Sequence, residues 1–546
     1  MQQQWWKKAV FYQIYPRSFC DSNGDGIGDI PGIISKLDYL QELGIGAVWL
    51  SPVYKSPNHD NGYDISDYRD INPEYGTLED MRRLFEEAGK RGIRIIMDLV
   101  INHTSDEHPW FVESQKPGSP YRDFYIWKDA RQKRNGDRQP PNNWMSYFTG
   151  SAWQWHEPSN QYYLHLFSPH QPDLNYDNPK VLEEIKDMMR FWLDMGAAGF
   201  RCDVITAIYK TSFHDEPFSL HRLQGSLQYL SQEGTHRILQ ELHRDVLAPY
   251  GAFTVGESLG SVDAATVKRY ETNELDMLFT FDQLYIDKRS VPFLPRRYRP
   301  DNLKTALIKW QNALEWNTLF FENHDAARSL NRYEITGKHQ IQGATMLATL
   351  LLTLKGTPFI YEGEEIGMEN YPFKSIEEVE DVSPRNIYAV LRQKHLPRWL
   401  AFRLAMMVCR DHARTPMQWD ATAGTGFTTS TQPWRPIHPN HVKTNVAAEM
   451  ADKDSIYSYY HELLRLRNHT AALQDGECTI ILSEKDIFMY RREANGDVYT
   501  VIVNMGSKKR RCPTVKNAAY VMGNYPEANQ HPEILRPYES IILREQ

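Results

Sequence analysis

Cysteine is scarce in this chain: five of its 546 residues are cysteines, and they lie far apart. Their number is odd and no two of them form a CxxC pair; the positions are Cys20, Cys202, Cys409, Cys478 and Cys512. A disulfide-stapled secreted domain would show a denser and even set. We therefore expect reduced thiols and a cytoplasmic location.

Long apolar runs and blocks of positive charge are lacking as well. No stretch of about 18 apolar residues occurs, so we expect no membrane span. The opening MQQQWWKKAVFYQ has neither the apolar core nor the small-residue cleavage site of a signal peptide. With a net charge of −8 and no basic block, the chain is not expected to bind nucleic acid or an anionic membrane surface.

What the chain does have is length and an ordinary globular composition, 41% hydrophobic and 24% charged, which predicts two or three domains. Over most of the sequence, short apolar runs alternate with helical patterns such as ISKLDYLQELG. Several runs are continuous, which is typical of parallel strands covered on both faces. Eight such units predict an α/β fold, the (β/α)8 TIM barrel. The runs are VFYQIYP (10–16), AVWLSP (47–52), IRIIMDLV (93–100), GFRCDV (199–204), AFTVGES (252–258), DMLFTF (276–281), TLFFENHD (318–325) and GTPFIYEG (356–363).

Two segments interrupt this rhythm and predict two further domains. Residues 104–173, after the third strand, are rich in Pro, Asn, Trp and Tyr and are too long for a loop, so we expect an inserted domain B. From residue 472 onward, short strands and turns predict a C-terminal antiparallel β-sandwich, domain C (472–546), with a hairpin turn at Asn495-Gly496. The barrel, domain A, then comprises residues 1–103 and 174–471.

Charged residues collect where four of the predicted strands end, the face on which TIM barrels carry their chemistry. In GFRCDV, Arg201 and Asp203 point the same way because strand residues alternate between faces. One such cluster could be purely structural, but four at equivalent positions indicate a site. A ring of carboxylates with histidines and an arginine suits glycoside cleavage, which needs a carboxylic acid for the leaving oxygen and a carboxylate for the oxocarbenium-like carbon. The runs are DLVINH, GFRCDV, TVGES and ENHD.

In that order, with QPDLN after the first, these runs resemble the conserved regions of glycoside hydrolase family 13, the α-amylase superfamily. The resemblance spans essentially the whole chain, from AVFYQIYPRSF to RDHARTPMQW, and is strongest to the oligo-1,6-glucosidase and α-glucosidase group. It implies a retaining, exo-acting hydrolase of small oligosaccharides. It also implies Asp203 as nucleophile, Glu257 as general acid and base, and Asp325 as a transition-state ligand of sugar hydroxyls. Arg201 would keep Asp203 ionised.

The same resemblance implies a set of substrate-binding residues. His103 and His324 would hydrogen-bond the sugar in the first subsite. Asp60 and Tyr63, in NHDNGYD, would reach the non-reducing glucose, and an Asp60–Arg414 clamp would close the pocket and make the enzyme exo-acting. Stacking rings are expected from Phe148 and Phe167.

Aspartates near the N-terminus, in DSNGDGIGD (21–29), predict a metal loop. The loop opens like an EF-hand, but Gly32 stands where the twelfth-position glutamate would be. The spacing resembles the calcium loop of oligo-1,6-glucosidases, which implies a structural Ca²⁺ far from catalysis. The alternatives are Mg²⁺ and a solvated loop; no organic cofactor is expected. The ligands would be Asp21, Asn23, Asp25, the Ile27 carbonyl and Asp29.

Linkage preference depends on Val204, directly after the proposed nucleophile. In the family, valine at this position accompanies α-1,6 preference, because a β-branched wall favours the more flexible exocyclic linkage; one methyl is worth about 1–3 kcal/mol. Activity on α-1,4 links or sucrose, a trehalose-6-phosphate hydrolase and a non-catalytic family 13 interaction module remain alternatives. The stretch TFDQLYIDKRSVPF does not match the RLDR loop of sucrose isomerases. Monomer and dimer are both open.

Overall fold

A computed structural model describes residues 4–133, 135–260, 262–287, 296–526 and 532–546. Eight parallel strands form one sheet. The first six strands pair in chain order, the first strand also pairs with the eighth, and the eighth pairs with the seventh. Thr318 Oγ1 on the seventh strand donates to Leu278 O on the sixth at 3.3 Å, so the ends of the sheet meet in a nearly closed barrel. The predicted TIM barrel is confirmed. Its strands are β1 (Phe11–Ile14), β2 (Ala47–Leu50), β3 (Arg94–Leu99), β4 (Gly199–Cys202), β5 (Phe253–Glu257), β6 (Met277–Phe279), β7 (Thr318–Leu319) and β8 (Thr357–Tyr361).

Helices surround this barrel, and their ends follow local capping rules. The helix Leu78–Lys90 starts with a capping box in which Thr77 and Asp80 bond each other's backbone N–H. The helix Pro179–Met195 starts at an Asn178 cap with proline in its first turn. The α-helices are Pro16–Phe19, Ile30–Ser35, Leu37–Leu43, Leu78–Lys90, Pro109–Ser114, Pro179–Met195, Glu233–Leu242, Ala248–Tyr250, Ala264–Tyr270, Pro300–Ala313, Ser329–Arg332, Gln340–Thr353, Val382–Gln393, Arg398–Ala405, Val446–Ala451, Ile456–Asn468 and Ala471–Gln474.

The segment between β3 and the helix Pro179–Met195 folds into small antiparallel sheets. Gln161–Leu164 pairs with both Trp153–His156 and Trp127–Lys128, and Arg131–Gln132 pairs with Arg138–Gln139. Tryptophans and tyrosines of this segment build their own core, which also takes in Val204 from the barrel. The inserted segment therefore packs directly on the chain that follows β4.

The C-terminal part is a five-stranded antiparallel sheet built from β9 (Glu477–Glu484), β10 (Ile487–Ala494), β11 (Asp497–Asn504), β12 (Ala518–Gly523) and β13 (Ser540–Glu545). Asn495 and Gly496 have φ of 54° and 84°, so they form the predicted two-residue hairpin turn between β10 and β11. One face packs on the barrel through Phe488, Tyr490 and Val503. The other is covered by the short pair Arg510–Arg511 and Ile534–Leu535, so a small second sheet completes this layer.

One predicted strand is shorter than expected, and one stretch considered in the sequence lies partly outside the described residues. The run TLFFENHD is a strand only over Thr318–Leu319, because its polar half turns away into the loop that carries His324 and Asp325. Residues 288–293 of TFDQLYIDKRSVPF lie outside the described residues. In the part of the chain that the structure describes, no helix is long and apolar enough to cross a membrane.

Candidate active site

The floor of the site is a layer of aromatic and aliphatic side chains inside the barrel. Phe11, Ile96, Val255 and Phe359 point inward and are buried, and the Phe11 and Phe359 ring centroids lie 4.7 Å apart. Two residues after Phe11, Ile96 and Val255, and two residues after Gly199 on β4, the next inward-facing side chain is polar. Strand alternation therefore places a polar ring on an apolar floor at the carboxyl end of the barrel. The ring includes Gln13, Asp98, Arg201 and Glu257.

Arg201 is the centre of this ring, buried to 2% exposure. The parallel register sets it opposite Asp98, and its Nη1 donates to Asp98 Oδ1 at 2.8 Å and to Asp203 Oδ1 at 2.7 Å. Its Nη2 donates to Glu257 Oε2 at 2.5 Å, an oxygen that also accepts from the Val204 N–H at 3.2 Å. One guanidinium thus holds three carboxyl groups in fixed positions.

These three carboxyl groups share a single cation, and the pKa of one of them, Asp203, is shifted. Burial raises the pKa of Asp203 well above its usual value; Arg201 lowers it, and the nearby carboxylates of Glu257 and Asp98 raise it further. Arg201 therefore acts in the expected direction on Asp203, but burial outweighs it.

A chain of hydrogen bonds links His324 to this cluster. Gln13 Nε2 donates to His324 Nδ1 at 2.8 Å, so the other ring nitrogen, Nε2, carries the proton. That Nε2 lies 2.6 Å from the Tyr63 hydroxyl, which in turn donates to Asp98 Oδ2 at 3.1 Å. Tyr63 and His324 are thereby fixed side by side at the wall of the site, with ring planes 6° apart.

Asp325 is held by the His324 ring and by two guanidinium groups. His324 Nε2 lies 3.1 Å from Asp325 Oδ2, and Arg414 Nη2 donates to Oδ1 at 2.8 Å. Arg410 Nη1 lies 3.6 Å from the same Oδ1. Burial raises the pKa of Asp325, but His324, Arg410 and Arg414 outweigh it and hold the pKa well below the usual range. Asp325 is therefore an ionised acceptor that suits sugar hydroxyl donors.

The guanidinium beside Asp60 is that of Arg410, which corrects the expected Asp60–Arg414 clamp. Arg410 Nη2 donates to Asp60 Oδ1 at 3.0 Å and to Asp381 Oδ1 at 2.8 Å. Arg414 instead directs its Nε to the carbonyl of His324 and its Nη2 to Asp325. The reason is geometric: a tight turn over Arg410–His412 separates the two side chains, so only the first reaches the loop after β2.

His103 completes the wall from the end of β3. Asn102 Nδ2 lies 3.1 Å from its Nδ1, and its Nε2 faces the Tyr63 carbonyl at 3.2 Å and the Gln171 amide nitrogen at 3.1 Å. Burial lowers the pKa of His103 to about 4, so the ring is neutral at neutral pH. Gln171 Nε2 lies 3.1 Å from this ring and donates to Asp60 Oδ2 at 3.2 Å, joining the wall to Asp60.

Phe148, Phe167 and Val204 form an apolar rim. The Arg410 guanidinium lies 5.1 Å from the Phe148 ring centroid, and Phe167 lies 5.3 Å from the His103 ring. Val204 belongs to the same apolar cluster as Phe167 and has φ of 38° and ψ of 35°. A β-branched residue in the left-handed region is a strained exception, of a kind that concentrates at functional sites.

The predicted metal loop lies away from this ring, next to residues 427–432. Its carboxylates accept backbone N–H groups: Asp21 from Asn23, Gly24 and Gly26, and Asp29 from Gly32. Within the described ranges, Asp21, Asp25 and Asp29 do not form a set of ligand atoms that all lie within 4.8 Å of one another. The oxygen-only donor chemistry nevertheless fits Ca²⁺.

The family model of the α-amylase catalytic domain matches residues 13–476 of this chain. The chain belongs to the α-amylase family. This confirms the predicted glycoside hydrolase family, and the protein is a glycoside hydrolase.

Among α-amylase family members, the chain is 46% identical to an oligo-1,6-glucosidase from Parageobacillus thermoglucosidasius, with 100% of this chain and 99% of that protein covered. Two solved structures are similar over essentially the whole fold. Trehalose-6-phosphate hydrolase from Bacillus licheniformis has 41% identity and a TM-score of 0.90, covering 99% of this chain and 100% of its own. Isomaltulose synthase from Protaminobacter rubrum has 38% identity and a TM-score of 0.94, and both chains are covered completely.

Several site residues of this α-amylase family member had been assigned no role from the sequence. Asp98 was visible in DLVINH, and Arg410 stands four residues before the arginine that was chosen in RDHARTPMQW. Gln171 lies in QPDLN, whose glutamine had been given no role. Asp381 carried no local signal, because only the folded chain brings it to Arg410.

Proposed function

We propose that this protein is a retaining, exo-acting α-glucosidase that releases glucose from the non-reducing ends of short α-glucosides and favours α-1,6 links. The observation that carries the proposal is the pocket in which Arg201 holds Asp203 and Glu257 while Arg410 joins Asp60 to the Asp325 side. The first pair supplies the chemistry. The second closes one end of the pocket, so that a chain end rather than a chain middle is bound.

The bond-breaking step uses the Arg201-bound pair. Asp203 attacks the anomeric carbon while Glu257 transfers its proton to the glycosidic oxygen, which leaves with the rest of the sugar. Glu257 Oε2 is engaged by Arg201 and by the Val204 N–H, which leaves Oε1 as the oxygen that carries the proton. Glu257 then takes a proton from water, the water oxygen attacks the same carbon, and Asp203 is released.

The anchoring of both carboxyl groups on one guanidinium supports the short separation, about 5–5.5 Å, that this double displacement requires. Asp325 contributes through its charge. Because its pKa is held low, it offers an ionised acceptor to hydroxyl groups, and hydrogen bonds to it strengthen as positive charge develops on the sugar ring. The neutral His103 ring and the fixed His324–Tyr63 pair line the same pocket.

The α-1,6 preference is supported by Val204 and by the oligo-1,6-glucosidase relatives. Val204 keeps a left-handed backbone that glycine would adopt more cheaply, by about 1–2 kcal/mol per residue. A side chain retained at that cost is best explained by its place in the rim, where it restricts the sugar beyond the scissile bond. The flexible exocyclic α-1,6 link can bend past it more easily than an α-1,4 link.

Side-by-side initial rates on isomaltose, maltose, sucrose and trehalose-6-phosphate test this function. We expect the highest kcat/KM on isomaltose, glucose as the product, and loss of activity in Asp203→Asn. Fastest turnover of trehalose-6-phosphate would favour a trehalose-6-phosphate hydrolase, and isomaltulose formation from sucrose would favour a sucrose isomerase. Either result would overturn the α-1,6 proposal, and no turnover of any of the four would overturn the enzyme's proposed exo-glucosidase role.

We propose further that the loop 21–29 binds Ca²⁺ as a structural ion, through Asp21, Asn23, Asp25, Asp29 and the Ile27 carbonyl. When bound, the ion would neutralise the loop's acidic oxygens and stabilise its contact with Thr428, which donates to Asp21. Adding Ca²⁺ to chelator-treated protein should raise the thermal midpoint, and Asp25→Asn should reduce that rise. Equal midpoints with and without Ca²⁺ would contradict the site.

The protein's surroundings are also proposed from the chain. Five free cysteines, three of them buried, are consistent with a reducing cytoplasmic location. A small oligosaccharide is the proposed partner, and monomer and dimer both remain open.

A further inference from the structure

Two histidines and an aspartate meet at the rim of the pocket, next to the residues that close it. Within the ranges that the structure describes, His59, Asp106 and His170 are the one set of three His, Cys, Asp or Glu side chains whose ligand atoms all lie within 4.8 Å of one another. We propose that these three side chains bind a divalent transition-metal ion, with Zn²⁺ as the probe. The ion would tie the loop after β2 to the last part of the inserted segment.

Half of this site is already organised. His170 Nδ1 lies 2.8 Å from Asp106 Oδ2, and the Asp106 N–H donates to the His170 carbonyl at 3.1 Å. Asp106 Oδ1 is buried and has no hydrogen-bond partner among the described residues. His170 Nδ1 and the Asp106 carboxylate therefore already lie side by side, and an ion bound by both would replace the proton that they share.

His59 supplies the third ligand after a rotation of its ring. The His59 and His170 rings are stacked, with centroids 3.7 Å apart and planes 11° apart. The nitrogen lone pairs of two parallel rings point in parallel directions. In that arrangement, His59 and His170 cannot both direct a nitrogen at one ion. The His59 ring is solvent-exposed and can turn, whereas its backbone is held by an N–H bond to Asp64 Oδ2 at 2.8 Å.

The donor set selects the class of ion. Two imidazoles and one carboxylate suit Zn²⁺, Ni²⁺ or Cu²⁺, whereas Ca²⁺ and Mg²⁺ prefer oxygen ligands such as those of the loop 21–29. Tetrahedral Zn²⁺ with bonds of about 2.0–2.1 Å would draw the three ligand atoms together and leave its fourth position to water. The necessary movement is small because the atoms already lie within 4.8 Å.

The location gives such an ion a way to act on the pocket. His59 directly precedes Asp60, and His170 directly precedes Gln171, and the side chains of Asp60 and Gln171 are hydrogen-bonded at 3.2 Å. An ion on the histidines would therefore fasten the two segments whose next residues contact each other in the pocket wall. Binding itself does not depend on the proposed substrate, so failure of one proposal is distinguishable from failure of the other.

Calorimetric titration of the chelator-treated full chain, without a histidine tag and with Ca²⁺ present throughout, tests the site. We expect one Zn²⁺ per chain in the wild type. Zn²⁺ affinity should fall by about tenfold or more in His59→Gln, His170→Gln and Asp106→Asn. Loss of a group that only hydrogen-bonds a metal ligand already lowers metal affinity by about 10–100-fold. His221→Gln, which removes an exposed histidine elsewhere, is the matched control and should bind as the wild type does.

Thermal unfolding gives a second readout. Zn²⁺ should raise the midpoint of the wild type and of His221→Gln but not that of His59→Gln, because an ion that binds only the folded state stabilises it. Metal-free midpoints of all variants confirm that the substitutions leave the fold intact. Equal Zn²⁺ affinity in the wild type and in both His59→Gln and His170→Gln, or no binding to the wild type, would overturn the proposal.

Discussion

Arg410 offers the sharpest test of how the pocket is closed, because one guanidinium contacts carboxylates from three parts of the chain. Replacing it with glutamine removes the charged hydrogen bond to Asp60 at 3.0 Å and the 3.6 Å ion pair to Asp325. A hydrogen bond to a charged group contributes about 1.5–3 kcal/mol. If that amount is lost from transition-state binding, kcat/KM falls roughly 10- to 150-fold.

The same substitution also weakens the fold, so activity has to be separated from stability. Asp381 loses the cation that lies 2.8 Å from its Oδ1 while remaining buried, and breaking a buried pair costs about 3–5 kcal/mol. Arg435→Gln is the matched control: Arg435 forms the corresponding buried pair with Asp411 at 2.9 Å. It has no contact with Asp60 or Asp325 among those that the described residues show.

The assay compares kcat/KM on isomaltose and the apparent thermal midpoint for the two variants. Both should lower the midpoint by a similar amount, but only Arg410→Gln should lose the additional 10- to 150-fold in kcat/KM. Equal losses of activity in the two variants would refute the reasoning. Arg410 would then act through the segment it stabilises and not through the pocket.

The remaining predictions concern pH, linkage and the rim. Because the pKa of Asp203 is raised and the nucleophile must be ionised, kcat/KM should be lost as the pH falls through that raised pKa, at a pH above the usual aspartate value of about 3.9; an acid limb at or below that value would contradict the assignment. Val204→Ala should lower the isomaltose-to-maltose ratio of kcat/KM by about tenfold or more, and an unchanged ratio would remove the argument from the rim. Asn386→Ala removes the 2.8 Å bond to the Phe148 carbonyl and should raise KM more than it lowers kcat. A lower thermal midpoint with KM unchanged would mean that Phe148 does not contact substrate.

Local patterns predicted most of the architecture. All eight barrel strands coincide with apolar runs read from the sequence, since parallel strands covered on both faces need continuous hydrophobicity. The Asn495-Gly496 hairpin followed from residues that tolerate positive φ. Alternation likewise predicted that Arg201 and Asp203 lie together, and the contact at 2.7 Å follows from that local geometry.

The pocket's closed end could not be derived in the same way. Arg410 and Arg414 lie four residues apart in one motif, and the sequence-based expectation paired Asp60 with Arg414 because no local pattern says which guanidinium faces Asp60. The same is true of the rim cluster, in which His59, Asp106 and His170 come from separate loops. Their proximity depends on how the inserted segment packs against the barrel.

The sequence by itself determined the barrel, the carboxylates at its strand ends and the family, because strand period and motif chemistry are local properties of neighbouring residues. The tertiary structure alone decided which cation serves which carboxylate and which loops meet at the rim. Those outcomes depend on burial and on contacts between residues as far apart as Asp60 and Arg410, whose distance is set only when the whole chain has packed.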